Sequence, residues 1–215
     1  MKYVYVNASP RKNMNTAKLL KTSADALKKM GYEVTTFHLY DLNFSGCKSC
    51  FACKKVGKKS YGTCTLKDDL TALLQYIKES DGVMMGSPIY FQDVPGEFRS
   101  FLERLLFQYF IYSKPPRSSF GGSKKVAMLY TMNIDETTYA TNLTKDVLLN
   151  LENKISFIYH APVASYKSFG TNQLKSYEGV EYAYFDPKER LENAPSNFAR
   201  EEQNVRAFTQ KWAQQ

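Results

Sequence analysis

The chain has 215 residues, 43% of them hydrophobic and 23% charged, with a formal net charge of +8. That balance belongs to a globular protein and is read as one domain spanning 1–215 with a full-sized core. No run of about 18 apolar residues occurs, which excludes a transmembrane helix. The Lys and Arg residues are dispersed, without a basic block or arginine-rich arm, so neither a nucleic-acid nor a membrane partner is expected.

The chain opens with Tyr3-Val4-Tyr5-Val6, a β-branched and aromatic run that predicts a strand. It lacks the basic start, apolar core and small-residue cleavage site of a signal peptide. The polar segment from Asn7 to Thr16 leads straight into a helix predicted over 16–30, where Ala17, Leu19, Leu20, Ala24, Leu27 and Met30 recur at helical spacing. Strand, polar loop and helix start form the geometry of an anion site, because the first N–H groups of a helix have no intrahelical partner and face the positive end of its dipole. Ser9, Asn15 and Thr16 add side-chain donors, and Arg11 adds a charge-assisted one. The loop lacks the glycines of a P-loop or a dinucleotide fingerprint. Taken alone, it fits an ordinary turn capped by Ser9 and Asn15 equally well.

A second strand is predicted over 32–39. Residues 40–67 form a long irregular insertion that holds all four cysteines: Cys47, Cys50, Cys53 and Cys64. Clustering of this kind points to a reduced, cytoplasmic protein with a metal, redox or local role, and away from a disulfide framework. A helix follows over 66–80, then an apolar strand over 81–87 that suits burial on both faces. The loop Pro88 to Gly96 leaves that strand, and a helix is predicted over 97–112. A fourth strand is predicted over 124–131, a helix over 137–151 and a short fifth strand over 155–159. Residues 160–197 show no clear periodicity and are read as an excursion, a hairpin or a docking arm. A last helix is predicted over 201–212. His38 and His160 receive no role.

Repeated βα alternation predicts an α/β three-layer sandwich, a five-stranded parallel sheet of flavodoxin-like order 2-1-3-4-5 with helices on both faces. Ligands of such sheets sit outside the carboxyl ends of the strands. The loops after the first, third and fourth strands all leave those ends.

These loops resemble those of the flavodoxin-like NAD(P)H-dependent FMN reductase family. Ser9-Pro10-Arg11 with Asn15-Thr16 resembles its FMN-phosphate loop. Ser87-Pro88-Ile89-Tyr90, followed by Pro95, Phe98, Phe101 and Glu103-Arg104, resembles its second flavin loop. The resemblance implies bound FMN, with Ser9, Arg11, Asn15 and Thr16 on the phosphate and Pro88, Ile89, Tyr90 and Phe91 flanking the ring. The N–H groups of the stiff Pro88 loop would be presented to the flavin edge. Thr131, Met132 and Asn133 would reach the same cleft, with core packing an equal alternative for Met132 and Asn133. It further implies NAD(P)H as co-substrate, a small-molecule electron acceptor such as a flavin or quinone, and a homodimer or higher homo-oligomer. The alternative is an iron–sulfur flavoprotein or a flavodoxin-like carrier serving a protein partner.

The cysteines and Asp68-Asp69 resemble the iron–sulfur flavoprotein subgroup. Three cysteines at two-residue spacing suit a thiolate-bound cluster. Ten residues separate Cys53 from Cys64, more than in that subgroup. Cysteines without bound metal are therefore the first expectation, a [4Fe–4S] cluster the second and zinc the third. A Cys47–Cys50 dithiol, with nearby lysines favouring thiolate, is a further alternative.

Overall fold

The computed structural model describes residues 1–182 and 185–215. Five parallel strands form the central sheet: β1 (Lys2–Asn7), β2 (Glu33–His38), β3 (Gly82–Pro88), β4 (Lys125–Thr131) and β5 (Val163–Ser168). Their spatial order is β2-β1-β3-β4-β5, the expected topology. The helices are α1 (Asn15–Lys29), α2 (Leu70–Glu79), α3 (Gly96–Phe107), α4 (Glu136–Thr141), α5 (Leu143–Tyr159) and α6 (Pro187–Gln214).

Alternation along the strands sorts the side chains into two cores. Val4, Val6, Val83, Met85, Val126 and Met128 meet α2, α3 and α5 on one face. Tyr3, Tyr5, Met84, Ala127 and Leu129 meet α1 and α6 on the other. Every residue of β3 is buried, which is why its sequence is an unbroken run of apolar and small residues. A Cβ on Gly86 would lie 2.4 Å from Leu20, so glycine is what lets α1 settle onto β3.

Three expectations are corrected. The segment 155–159 is not a strand but the end of α5, because Ile155, Ile158 and Tyr159 continue the helical period of Leu148 and Leu151. The fifth strand is β5, inside the expected excursion; residues 183–184 of that excursion lie outside the described residues. The last helix begins at Pro187, far before 201. Asp186 caps it through the Lys188 and Glu189 N–H groups, and the internal Pro195 disguises its continuity.

Smaller shifts have local causes. The expected 137–151 helix is divided at Asn142, whose side chain accepts from the Thr144 N–H and caps α5. α3 stops at Phe107, short of 112. Tyr109 turns inward onto Phe120 at 5.1 Å, and Phe110-Ile111 pair with Arg117-Ser118 in a small antiparallel ladder.

Candidate functional site

The loop after β1 is held by its own polar groups. The Ala8 N–H donates to Gly86 O at 2.8 Å, tying the loop to β3. Asn7 Oδ1 accepts from the Ser9 N–H at 3.1 Å, and Ser9 Oγ accepts from the Arg11 N–H at 3.2 Å. These local bonds turn the chain sharply into α1. α1 begins after Met14, with no side-chain cap and no acidic residue in its first turn. The capped-turn alternative is thus not what the chain adopts. The N–H groups of the first turn keep their positive potential, with Arg11 and Asn15 beside them.

Buried Thr16 and Thr131 share a hydroxyl hydrogen bond of 2.7 Å, which locks the start of α1 to the end of β4. The Ile89 N–H donates to Thr131 O at 2.9 Å, and Met132 N–H to Ser168 O at 3.0 Å. A narrow cavity of about 20 Å³ lies among these loops. Ser9, Arg11, Asn15, Thr16, Pro88, Ile89, Tyr90, Thr131, Met132 and Asn133 line it. The sheet edge therefore gathers every sequence-chosen cleft residue except Phe91.

Phe91 is fully exposed at the tip of a two-residue turn. Tyr90 and Asp93 exchange backbone bonds of 2.8 and 3.0 Å across that turn. Phe91 and Gln92 carry φ of 48° and 65°, the left-handed region. The expectation that this loop offers its N–H groups to a ligand is corrected for Ile89 and Tyr90, whose N–H groups are bonded within the protein.

Met14, Thr171 and Gln173 also line the cavity and were missed. The segment after β5 leans on the loop after β1. Arg11 donates to Gln173 O, and Asn15 Nδ2 donates to Asn172 O at 2.6 Å. Arg190 of α6 supports the third loop by donating to Asn133 O and Oδ1 at 3.1 and 2.9 Å. Gly170, at φ 60°, marks the turn out of β5 and was the available signal. The histidines are peripheral to the cleft: His38 Nδ1 meets Asn7 Nδ2 at 2.9 Å, and His160 Nδ1 meets Gly122 O at 3.0 Å.

The insertion after β2 forms a second small cavity, about 20 Å³, lined by Cys47, Cys50, Cys53, Cys64, Arg104 and neighbours. All four thiols are free. The loop is pinned to α3 by side chains. Glu103 Oε2 accepts from the Cys47 N–H at 3.0 Å, and Gln108 Oε1 accepts from the Cys64 N–H at 3.0 Å. Lys54 Nζ donates to Phe107 O and, at 2.7 Å, to Phe110 O. Ser49 and Phe51 take left-handed backbone, with φ of 50° and 56°, to wind the loop around the thiols.

The Ala52 N–H lowers the Cys50 thiol pKa, while burial raises that of Cys53 and lowers that of Lys54. Burial alone would pull the Arg104 guanidinium down; Asp68 and Cys64 outweigh it, and its pKa ends raised. Among the described residues, no three His, Cys, Asp or Glu side chains converge tightly enough for a single metal ion. Four thiols with cations and no carboxylate in the lining are the donor set of a thiolate-bound metal group, zinc or iron–sulfur.

A parallel 2-1-3-4-5 sheet, with polar loops gathered at its carboxyl edge, is the flavodoxin-like class of α/β protein. Residues 1–155 match the family of NADPH-dependent FMN reductases, and the chain belongs to that family. It is similar to an iron–sulfur flavoprotein of Archaeoglobus fulgidus, 38% identical over 104 residues, 48% of each chain. An iron–sulfur flavoprotein of Methanocaldococcus jannaschii is 32% identical over 126 residues, 59% of this chain and 58% of the relative. The chain spans about half the length of the curated relatives it matches. Among solved structures, an azoreductase from Bacillus anthracis has a TM-score of 0.67 at 17% identity, covering 98% of this chain and 99% of that one. An NAD(P)H:quinone oxidoreductase from Methanothermobacter marburgensis has a TM-score of 0.68 at 15% identity, covering 96% and 98%. These structural likenesses are of fold.

Proposed function

We propose that the protein is an FMN-dependent oxidoreductase that takes hydride from NAD(P)H and passes electrons to a small acceptor, a flavin, quinone or similar molecule. The observation that carries this reading is the convergence of the three loops on one cleft, beside an uncapped helix start without an acidic side chain. That donor set fits a phosphate monoester. The α1 N–H groups, Ser9 Oγ, Arg11 and Asn15 Nδ2 bind it, with Arg11 and Asn15 exchanging their present carbonyl partners for phosphate oxygens. Bound FMN supplies the hydride-accepting and electron-donating chemistry. Pro88, Ile89 and Tyr90 set the wall on which the ring rests, and the Thr16–Thr131 bond keeps phosphate and ring walls in register.

No described helix is long and apolar enough to cross a membrane. A cytoplasmic location and a homodimer remain part of the proposal. The test is anaerobic titration of apoprotein with FMN, followed by NADPH or NADH. Tight binding and bleaching of the flavin bands support the reading. A protein that leaves FMN free in solution overturns it, and bound flavin that neither nucleotide bleaches points to a carrier.

A second reading is favoured by the gathering of all four cysteines on one cavity. In it, Cys47, Cys50, Cys53 and Cys64 hold a [4Fe–4S] cluster that relays single electrons. Iron and sulfide assay of anaerobically purified protein tests it, and absence of both after reconstitution removes it.

A further inference from the structure

Arg104 lies on the buried stripe of α3 between Phe101 and Leu105 and is 1% exposed. A side chain so costly to bury needs compensation from charge and hydrogen bonds. Asp68 supplies part, accepting from Nη1. Ser45 O accepts from Nη1 at 3.2 Å, and Leu66 O from Nη2 at 3.4 Å. Its Nε–H is buried and has no partner. Arg104 also lines the four-cysteine cavity together with Cys64. A buried cation with a spare donor beside four thiols is arranged for a negatively charged sulfur-rich group.

We infer that Arg104 is the positioning and charge-compensating residue of the cysteine site: through Asp68 it fixes the segment carrying Cys64, and its Nε–H donates to a sulfur of the group the cysteines hold. This rests on the second reading above. A cluster with four thiolate ligands is anionic, and accepting one electron makes it more negative by one charge. No proton is needed. A fixed cation and a hydrogen bond to sulfur favour that more negative state, so Arg104 raises the midpoint potential.

The experiment uses the full chain, reconstituted anaerobically with ferrous iron and sulfide and reduced stepwise with dithionite in a mediated potentiometric titration. Iron content, the electron paramagnetic resonance signal and FMN binding are read alongside. Wild-type protein that takes up no iron overturns the cluster reading and this inference with it. If wild type loads, Arg104→Gln is expected to load less iron and to lower the reduction equilibrium constant by roughly tenfold, about 59 mV for one electron. Arg104→Lys, which keeps the charge but not the Nε–H, is expected to fall between them. A loaded Arg104→Gln protein with unchanged potential and signal overturns the inference and leaves the cluster reading standing. So does an Arg104→Lys protein indistinguishable from wild type. If neither variant loads while FMN still binds, Asp68→Asn decides, because it loosens the same segment but keeps the donor. Failure of Asp68→Asn to load while FMN still binds supports positioning through Asp68, and loading at the wild-type level overturns it. Loss of FMN binding in both Arg104 variants marks the residue as a general structural support and also overturns the assignment.

Discussion

The sheet-edge cleft and the cysteine cavity are two small cavities built by opposite means. The cleft is delivered by topology. Parallel registers place Asn7 beside Gly86, Ser87 beside Tyr130 and Pro88 beside Thr131, so the loops after β1, β3 and β4 must leave the sheet together. The cysteine cavity belongs to an irregular insertion and is held by side chains, with Glu103 and Arg104 reaching from α3, Gln108 from just past its end and Lys54 reaching back. In the first case the backbone sets the shape and single side chains set affinity. In the second, single side chains set the shape itself.

The largest effect expected on the cleft comes from Arg11→Ala. A charge-assisted contact is worth about 1.5–3 kcal/mol, which is about 10- to 150-fold in affinity. FMN binding should weaken by that factor while riboflavin, which lacks the phosphate, binds as before. Fluorescence titration of both ligands checks this, and equal losses would place Arg11 away from the phosphate. Thermal stability should hardly change, because topology carries the cleft.

Lys54→Met is the matching test on the other region. Its Nζ bonds the carbonyls of Phe107, the last residue of α3, and of Phe110 beyond it, and lies 4.3 Å from the Phe107 ring centroid. Losing those contacts should cost roughly 1–3 kcal/mol, confined to local opening of the insertion. Limited proteolysis within 55–62 should accelerate by about tenfold or more, with FMN affinity unchanged. A parallel loss of FMN affinity would show that the two regions are one cooperative unit.

Thr16→Val probes the seam inside the cleft. It removes one partner of a buried 2.7 Å bond and orphans the Thr131 hydroxyl. The expected loss is about 1–2 kcal/mol in urea unfolding, with a few-fold weaker FMN binding. Unchanged stability would mean that Thr131 finds another partner.

The same contrast governs what could be read from sequence. β1, β3 and β4 were legible because both faces are buried, so their apolar runs are nearly unbroken. β5 was not, because Val163 to Ser168 is an edge strand, half-buried and carrying Ser165, Lys167 and Ser168. Arg11 and Asn15 were legible as local features of a loop before a helix. Gln173, which meets Arg11 across 162 positions, was not, since no local pattern encodes so distant a contact. Arg104 entered only within a motif. An arginine in a helix reads as solvent-facing until packing shows that this one is buried against Asp68 at the cysteine cavity.

The smallest expected effect is also the one that separates strain from function. The turn Tyr90–Asp93 closes on two non-glycine residues in left-handed backbone, Phe91 and Gln92. Turns of this shape prefer glycine at the second central position, and a left-handed residue with a side chain costs about 1–2 kcal/mol. Gln92→Gly relieves that cost but frees the unfolded chain, so the net gain should be below about 1 kcal/mol. Urea unfolding should show it as a small rise in midpoint. The turn borders Tyr90, which lines the cleft, and glycine also widens the range of shapes the folded loop can take. FMN binding should therefore weaken a few-fold as stability rises, because a stiff wall is being exchanged for a relaxed one. If stability and FMN affinity rise together, the strain serves no ligand in the cleft, and exposed Phe91 must be explained by something other than the flavin wall.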